Sequence, residues 1–248
     1  MIKVVAQFDH LRGLPHRECE RHYLEVHVPF IRHAVRHAEN IVTYETNLVV
    51  AQRDVDGGWH ARPTAWRWAT GRFQGSSDDP PAPLPPPFAR LVSEDHRNFL
   101  KDLRMFTAEE QVRVDRRSGQ TSLAKFSLHV DRRATTPAVE AQRRLEQGVS
   151  PMIDAAQHAF GARLVVCDRV FRQAQSAAID EEGQVMSPEL LCSQTMRVSH
   201  IDFYFDTVEW GEEFFAAHRE ELEAVLHDPA FERARLYQVQ ERSQVDKR

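Results

Sequence analysis

The sequence predicts an α+β protein in which a β-α-β-β-α-β unit occurs twice, and three observations carry that prediction. Moving the chain along itself by 122 residues sets Lys3 on Lys125, Asp9 on Asp131, Pro15 on Pro137 and Pro29 on Pro151 with no gap. At the start of each copy, apolar residues alternate with polar ones, the period of a strand whose two faces differ. Each alternating stretch then gives way to a turn, a proline and a run with helical spacing, and proline suits the first turn of a helix. This order is the ferredoxin-like split βαβ arrangement, whose helices cover one face of a four-stranded sheet. The bare face needs a partner, and a second copy in the same chain supplies it. The expected architecture is two tandem ferredoxin-like units, residues 1–118 and 119–248, whose sheets pack face to face as a barrel-like core.

The elements follow in order. Ile2, Val4, Ala6 and Phe8 alternate with Lys3, Gln7 and Asp9 in the first strand, and Phe126, Leu128 and Val130 repeat the pattern. Helices are predicted over 15–38 and 137–159, and second strands over 41–50 and 162–171. Third strands are predicted over 64–73 and 199–206, second helices over 88–103 and 209–226, and closing strands near 110–115 and 235–241. Two stretches break the pattern: "QGSSDDPPAPLPPP" (74–87), whose prolines favour an extended loop or lid, and the long insertion 175–195.

Bulk composition narrows the function. The 248 residues carry a net charge of -5, which argues against an extended basic surface for nucleic acid. Three widely spaced cysteines, Cys19, Cys167 and Cys192, form no CxxC pair, so neither a zinc knuckle nor a disulfide framework is indicated. The first residues read as a strand rather than a secretion signal, and no apolar run approaches the ~20 residues of a membrane span. A cytoplasmic protein without membrane or nucleic-acid partners is expected.

The tract "HYLEVHVPFIRH" (22–33) concentrates the candidate chemistry. At about 100° per residue, Cys19, Tyr23, Val26, His27, Phe30, Ala34 and Ala38 share one face. Tyr23 and His27 therefore project toward the sheet. A core histidine bonded to a backbone carbonyl is one reading. The other is a pocket between helix and sheet, with imidazole as acid or base near neutral pH and the phenol as its partner. At the repeat offset His27 meets Val149 and Tyr23 meets Leu145, so any such site belongs to the first copy.

The same tract, "HYLEVHVPFIRHA", resembles the helix of EthD-type proteins in the dimeric α+β barrel superfamily, where an aromatic residue, three residues, His, any residue and Pro follow one another. "IDFYFDTVEWGEEFFAAHREELEAVLHDPAFERARLYQVQE" resembles the second half of that domain. The resemblance implies a pseudo-dimeric α+β barrel. It also implies a cofactor-independent lyase, dehydratase, cyclase or isomerase acting on an aromatic or polyketide-like molecule. His27 and Tyr23 would be its catalytic residues. Two alternatives remain open: a haem- or metal-dependent enzyme, with His27 as the candidate haem ligand, and a non-catalytic small-molecule binding or accessory protein.

Further residues are candidates for the substrate's walls: His10, Phe30, His37, Tyr44, Trp66 and Trp68, the two tryptophans sharing one strand face. Asn47 could add a hydrogen bond. Asp202, Tyr204 and Asp206 share a polar strand face that either borders a second cavity or meets solvent. No metal site is expected. His33 and His37 have i, i+4 spacing, but there is no HExxH and no placed carboxylate, and Pro29 interrupts the helix beside them. GxSxG, GxGxxG and P-loop signatures are absent, which disfavours serine-hydrolase and nucleotide chemistry. Exposed strand edges leave a homodimer open.

Overall fold

The computed structural model describes residues 1–10, 13–53, 57–61, 67–76, 84, 86–118, 123–177, 190–191 and 196–247. The first half comprises β1 (Ile2–His10), α1 (His16–His22), a π-helical turn (Tyr23–His27), α2 (Val28–His37), β2 (Ile41–Arg53), the short β3 (Trp59–His60), β4 (Arg67–Phe73), α3 (Pro86–His96) and β5 (Leu100–Asp115). The second comprises β6 (Ala124–Arg132), α4 (Ala138–Ala156), β7 (Ala162–Ala177), the short β8 (Leu190–Leu191), β9 (Arg197–Phe205), α5 (Val208–Ala217), α6 (Arg219–Leu226) and β10 (Phe231–Asp246). β1 and β6 begin and end 122 positions apart, and so do the first residues of α1 and α4.

Eight long strands form one closed, antiparallel barrel. The hydrogen-bonded order is β10-β6-β9-β7-β5-β1-β4-β2, and β2 pairs back onto β10. Each half contributes four neighbouring strands, β5-β1-β4-β2 and β10-β6-β9-β7. The halves meet edge to edge rather than face to face: Tyr237 pairs with Gln52 at one seam and Asp102 with Ala177 at the other. Closure explains why the last strand of each half is far longer than its sequence pattern suggests. The extra residues bond to the second strand of the other half, and a closed barrel leaves no open edge. The stretch 100–103, read as helix in the sequence, is the start of β5. There Leu103 and Met105 face the helices while Phe106 and Ala108 face inward.

The helices cover the outer face. In the second half they close over a continuous core from Phe126 and Leu145 to Phe215 and Leu236. In the first half the apolar contacts split into two clusters. Phe8, Tyr23, Phe99 and Leu103 form one, and Ile31, Val35, Ile41 and Tyr44 the other. A cavity separates them.

Barrel closure also buries the inward face of every strand. Lys3, Glu45, Arg72, Lys125, Asp168, Arg197 and Asp202 are all buried there. Burial without partners would be prohibitive, and the partners are present. Lys3 lies 2.6 Å from Asp168 and 3.0 Å from Asp202. Lys125 lies 2.7 Å from Glu241, and Arg72 donates to Glu45 and, at 2.7 Å, to Glu110. Asp202 and Tyr204, whose alternation fits a wet strand face, thus sit inside the ionic lumen, with Tyr204 donating to Glu241 at 3.1 Å. Asp206, just past β9, pairs with Arg163 at the surface. Among the described residues no helix is long and apolar enough to cross a membrane.

Candidate functional site

A π turn shapes the site before any chemistry does: the Val28 N–H reaches Tyr23 O immediately before Pro29, which lacks an N–H and whose ring crowds the preceding turn. A π turn inserts one extra residue, so the buried face advances by one position beyond it. Cys19, Tyr23 and His27 keep their inward aim, but then Ile31 and Val35 face the sheet. Val26 is 48 % exposed, and Phe30, predicted to face the substrate, lies off the cavity against Phe88, with ring centroids 6.5 Å apart. In the second copy Pro151 sits inside an uninterrupted α4.

The cavity has a volume of roughly 190 Å³ and lies between this helix and the outer face of β1, β2, β4 and β5. Strand alternation selects its floor: Val4, Ala6, Ala69 and Gly71 point outward to it. Trp68, two percent exposed, points inward to His129 and Tyr237. Trp68 is therefore on the opposite side of the sheet from His27. Trp66 lies outside the described residues, as does the side chain of His10. Of the proline-rich stretch, Leu84 reaches the cavity wall and residues 77–83 and 85 lie outside the described set; so do 178–189 and 192–195 of the later insertion.

Among the described residues, His27, Tyr44 and His96 are the polar groups in an otherwise apolar wall. His27 is 5 % exposed. Its Nδ1 lies 2.8 Å from Asp95 Oδ2, while His22 Nε2 lies 2.7 Å from Oδ1 of the same carboxylate. Against the upward push of partial burial, the hydrogen bonds from His27 and His22 hold the Asp95 carboxyl down at about 2. A carboxylate can only accept, so His27 carries its proton on Nδ1 and keeps Nε2 bare. Burial pulls His27 below the usual histidine value, with Asp95 opposing. The ring is therefore neutral near pH 7, with the charge that would stabilise its imidazolium already in place. His96, 5.0 Å from His27 between ring centroids, is pushed down to about 3 by burial and by His27, and stays neutral.

Tyr23 stacks beside His27, with centroids 5.5 Å apart and planes 26° from parallel, and is fully buried outside the cavity wall. Arg67 lies 4.8 Å over its ring and is itself paired with Glu20. It is Tyr44, not Tyr23, that reaches the cavity; burial pushes the Tyr44 phenol up to about 12 despite Tyr23 and Arg67. Asn47 faces the lumen, donating to Thr70 at 3.2 Å. His37 is exposed, packed against Phe88 and 4.6 Å from His33. Among the described residues no three His, Cys, Asp or Glu side chains are placed to share a metal ion.

Asp95 and His96 are absent from the sequence-based candidates. They lie about seventy residues from His27 on another element, so no periodicity links them. The one available signal is an adjacent acid and histidine at the end of the helix that precedes the last strand of the first half.

Solved structures with a similar course of chain exist at low sequence identity. An anthrone oxidase-like protein superposes with TM-score 0.54 and 12% identity, covering 100% of this chain and 94% of the other. A proposed monooxygenase from Fusobacterium nucleatum superposes with TM-score 0.51 and 6% identity, covering 98% and 93%. The chain has the fold of the dimeric α+β barrel proteins. At these identities the likeness concerns the fold alone. No protein-family model matches the sequence, and no curated protein matches it.

Proposed function

We propose that the chain is a tandem, EthD-like α+β barrel enzyme of two ferredoxin-like units, and that it moves a proton on a hydrophobic small molecule held in the first-half cavity. One observation carries the reading: a neutral imidazole, backed by an ionised aspartate, faces an apolar cavity between helix and sheet. His27 Nε2 takes a proton from the substrate, and Asp95 stabilises the imidazolium that forms. Tyr44, still protonated, donates a hydrogen bond to the developing oxyanion. Tyr23 acts one step back, holding His27 by stacking.

The resulting carbanion or enolate eliminates, cyclises or isomerises, which needs no organic cofactor. The resemblance of the His27 tract and the anthrone oxidase-like neighbour favour an aromatic or polyketide-like substrate, and the latter adds dioxygen as an acceptor to test. A haem reading has less support. No Lys or Arg lines the described wall to meet propionates. The second sheet is present in cis, so the site needs no second copy of the chain.

The test is a panel of anthrones and related polyphenolic ketones incubated with wild type and His27→Ala, with and without air. The expected result is turnover of at least one compound by wild type and a loss of at least ~10²-fold in the variant. Equal rates would remove His27 from the mechanism.

A further inference from the structure

On the inner face of the same sheet, away from the His27 cavity, four buried polar atoms have no hydrogen-bond partner among the described residues: His129 Nδ1, His200 Nδ1 and both carboxylate oxygens of Asp168, of which Oδ2 is ion-paired with Lys3 and the other three are not. They lie in one row. Asp168 on β7 pairs across the ladder with His200 on β9, and His200 pairs with His129 on β6. Directly opposed residues bring their Cβ atoms to about 5 Å, and the two imidazole centroids are 4.6 Å apart with planes at 79°. All three residues are at most 4 % exposed.

Their other contacts fix which atom holds each proton. Arg197 Nη1 lies 2.6 Å from His200 Nε2. A guanidinium only donates, so Nε2 accepts and the neutral ring is protonated on Nδ1. Ser127 gives its single proton to Asp202. His129 Nε2, 3.0 Å from Ser127 Oγ, must then donate, which leaves His129 Nδ1 bare. Burial drives both rings well below the usual histidine range, so both are neutral. Lys3 holds Asp168 Oδ2 at 2.6 Å, leaving Oδ1 as an acceptor. The row thus presents one donor and two acceptors.

We infer that a single neutral water molecule is bound inside the barrel, accepting from His200 Nδ1–H and donating to His129 Nδ1 and Asp168 Oδ1. Three hydrogen bonds are the usual complement of a buried water. A cation would meet the His200 N–H, and an anion would meet the carboxylate and the imidazole lone pair. Asp168 is also faced by Glu110 from β5 and Asp202 from β9, with Lys3 opposing. Should Asp168 take up a proton, its hydroxyl becomes a donor. Water can turn to accept two bonds and donate one, which a ligand with fixed donors cannot do.

The test combines a crystal structure of the full chain at better than about 1.5 Å with long-range 1H–15N spectra of 15N-histidine-labelled protein at pH 8. The expected result is a fully occupied solvent peak within about 3 Å of all three atoms. His129 should be the Nε2–H tautomer and His200 the Nδ1–H tautomer, its proton cross-relaxing with water. A direct His200–Asp168 bond with no solvent peak, or the same tautomer in both rings, overturns the inference. His129→Phe removes one acceptor and should abolish the peak; a peak persisting in a folded variant overturns the three-point site, and if the variant does not fold the wild-type measurements decide.

Discussion

Asp95→Asn isolates the part of the site that the geometry makes decisive. The carboxamide is isosteric with the carboxylate and still offers an oxygen to His27 Nδ1–H, but it no longer carries the charge that stabilises an imidazolium. A hydrogen bond to a charged group contributes about 1.5–3 kcal/mol, and 1.36 kcal/mol corresponds to one pH unit. That span gives about one to two pH units, and Asp95 is partly exposed, so solvent screening favours the lower end. Burial already pulls His27 down and Asp95 alone among its charged contacts pulls it up. The sign is therefore fixed: the variant's His27 should titrate about one pH unit lower than wild type. Histidine side-chain NMR titrations of both proteins measure this directly, with His27→Gln used to assign the resonance. In any active preparation the acid limb of kcat/KM should move to lower pH by the same amount, with a lower plateau. An unchanged or raised His27 value would refute the reasoning, because it would mean that the 2.8 Å contact is not an ion-supported hydrogen bond.

Other outcomes follow from separate features. Ala69→Phe fills the cavity floor, and binding of an anthrone probe followed by fluorescence should fall at least tenfold while the melting curve still shows one cooperative transition; unchanged binding would place the ligand elsewhere. Lys3→Met leaves Asp168 and Asp202 short of their cation, and breaking a buried pair costs about 3–5 kcal/mol, readable as a lower urea midpoint at pH 7; an unchanged midpoint would mean that the lumen charges are not paired as described. Burial raises the Asp168 carboxyl to about 7 against the pull of Lys3. A raised carboxyl stabilises the fold in its protonated form, fully below pH ~4, and loses that contribution as pH rises through 7. Relative to Asp168→Asn, wild type should therefore lose stability between pH 5 and pH 8; parallel urea curves would refute this. Gly161 has φ +76°, and an added Cβ would lie 2.1 Å from the Trp210 ring, so Gly161→Ala should cost about 2–4 kcal/mol in urea denaturation through strain and overpacking.

Legibility in the sequence followed the range of the interactions. The repeat showed in the fixed spacing of Lys3, Asp9, Pro15 and Pro29 with their counterparts, because each marks a local event: a strand start, a turn, a helix entry. His27 and Tyr23 were readable as a pair on one helix face, since i and i+4 are neighbours on any helix. Phe30 was assigned to that face by a straight wheel, and the π turn at Pro29 moved Ile31 there instead. Trp68 was a candidate for the substrate's wall because it is aromatic and shares a strand face with Trp66, whereas the parity of β4 sends it to the side of the sheet away from His27. Asp202 and Tyr204 fitted either a second cavity or a solvated strand face, because alternation normally means one dry face and one wet one. Asp95 and His96 left no trace that points to His27.

The sequence by itself determined the doubled β-α-β-β-α-β order, the lack of a matching histidine in the second copy, and the helix that carries the candidate base. Those follow from local periodicity and from which residue types occupy equivalent positions. The tertiary structure alone decided that the two sheets join through their edges, that the polar faces of the strands form a buried ionic lumen, and that Asp95 stands behind His27. Each of these depends on contacts between residues far apart in the chain, made only when β2 meets β10, β5 meets β7, and α3 packs beside the π turn.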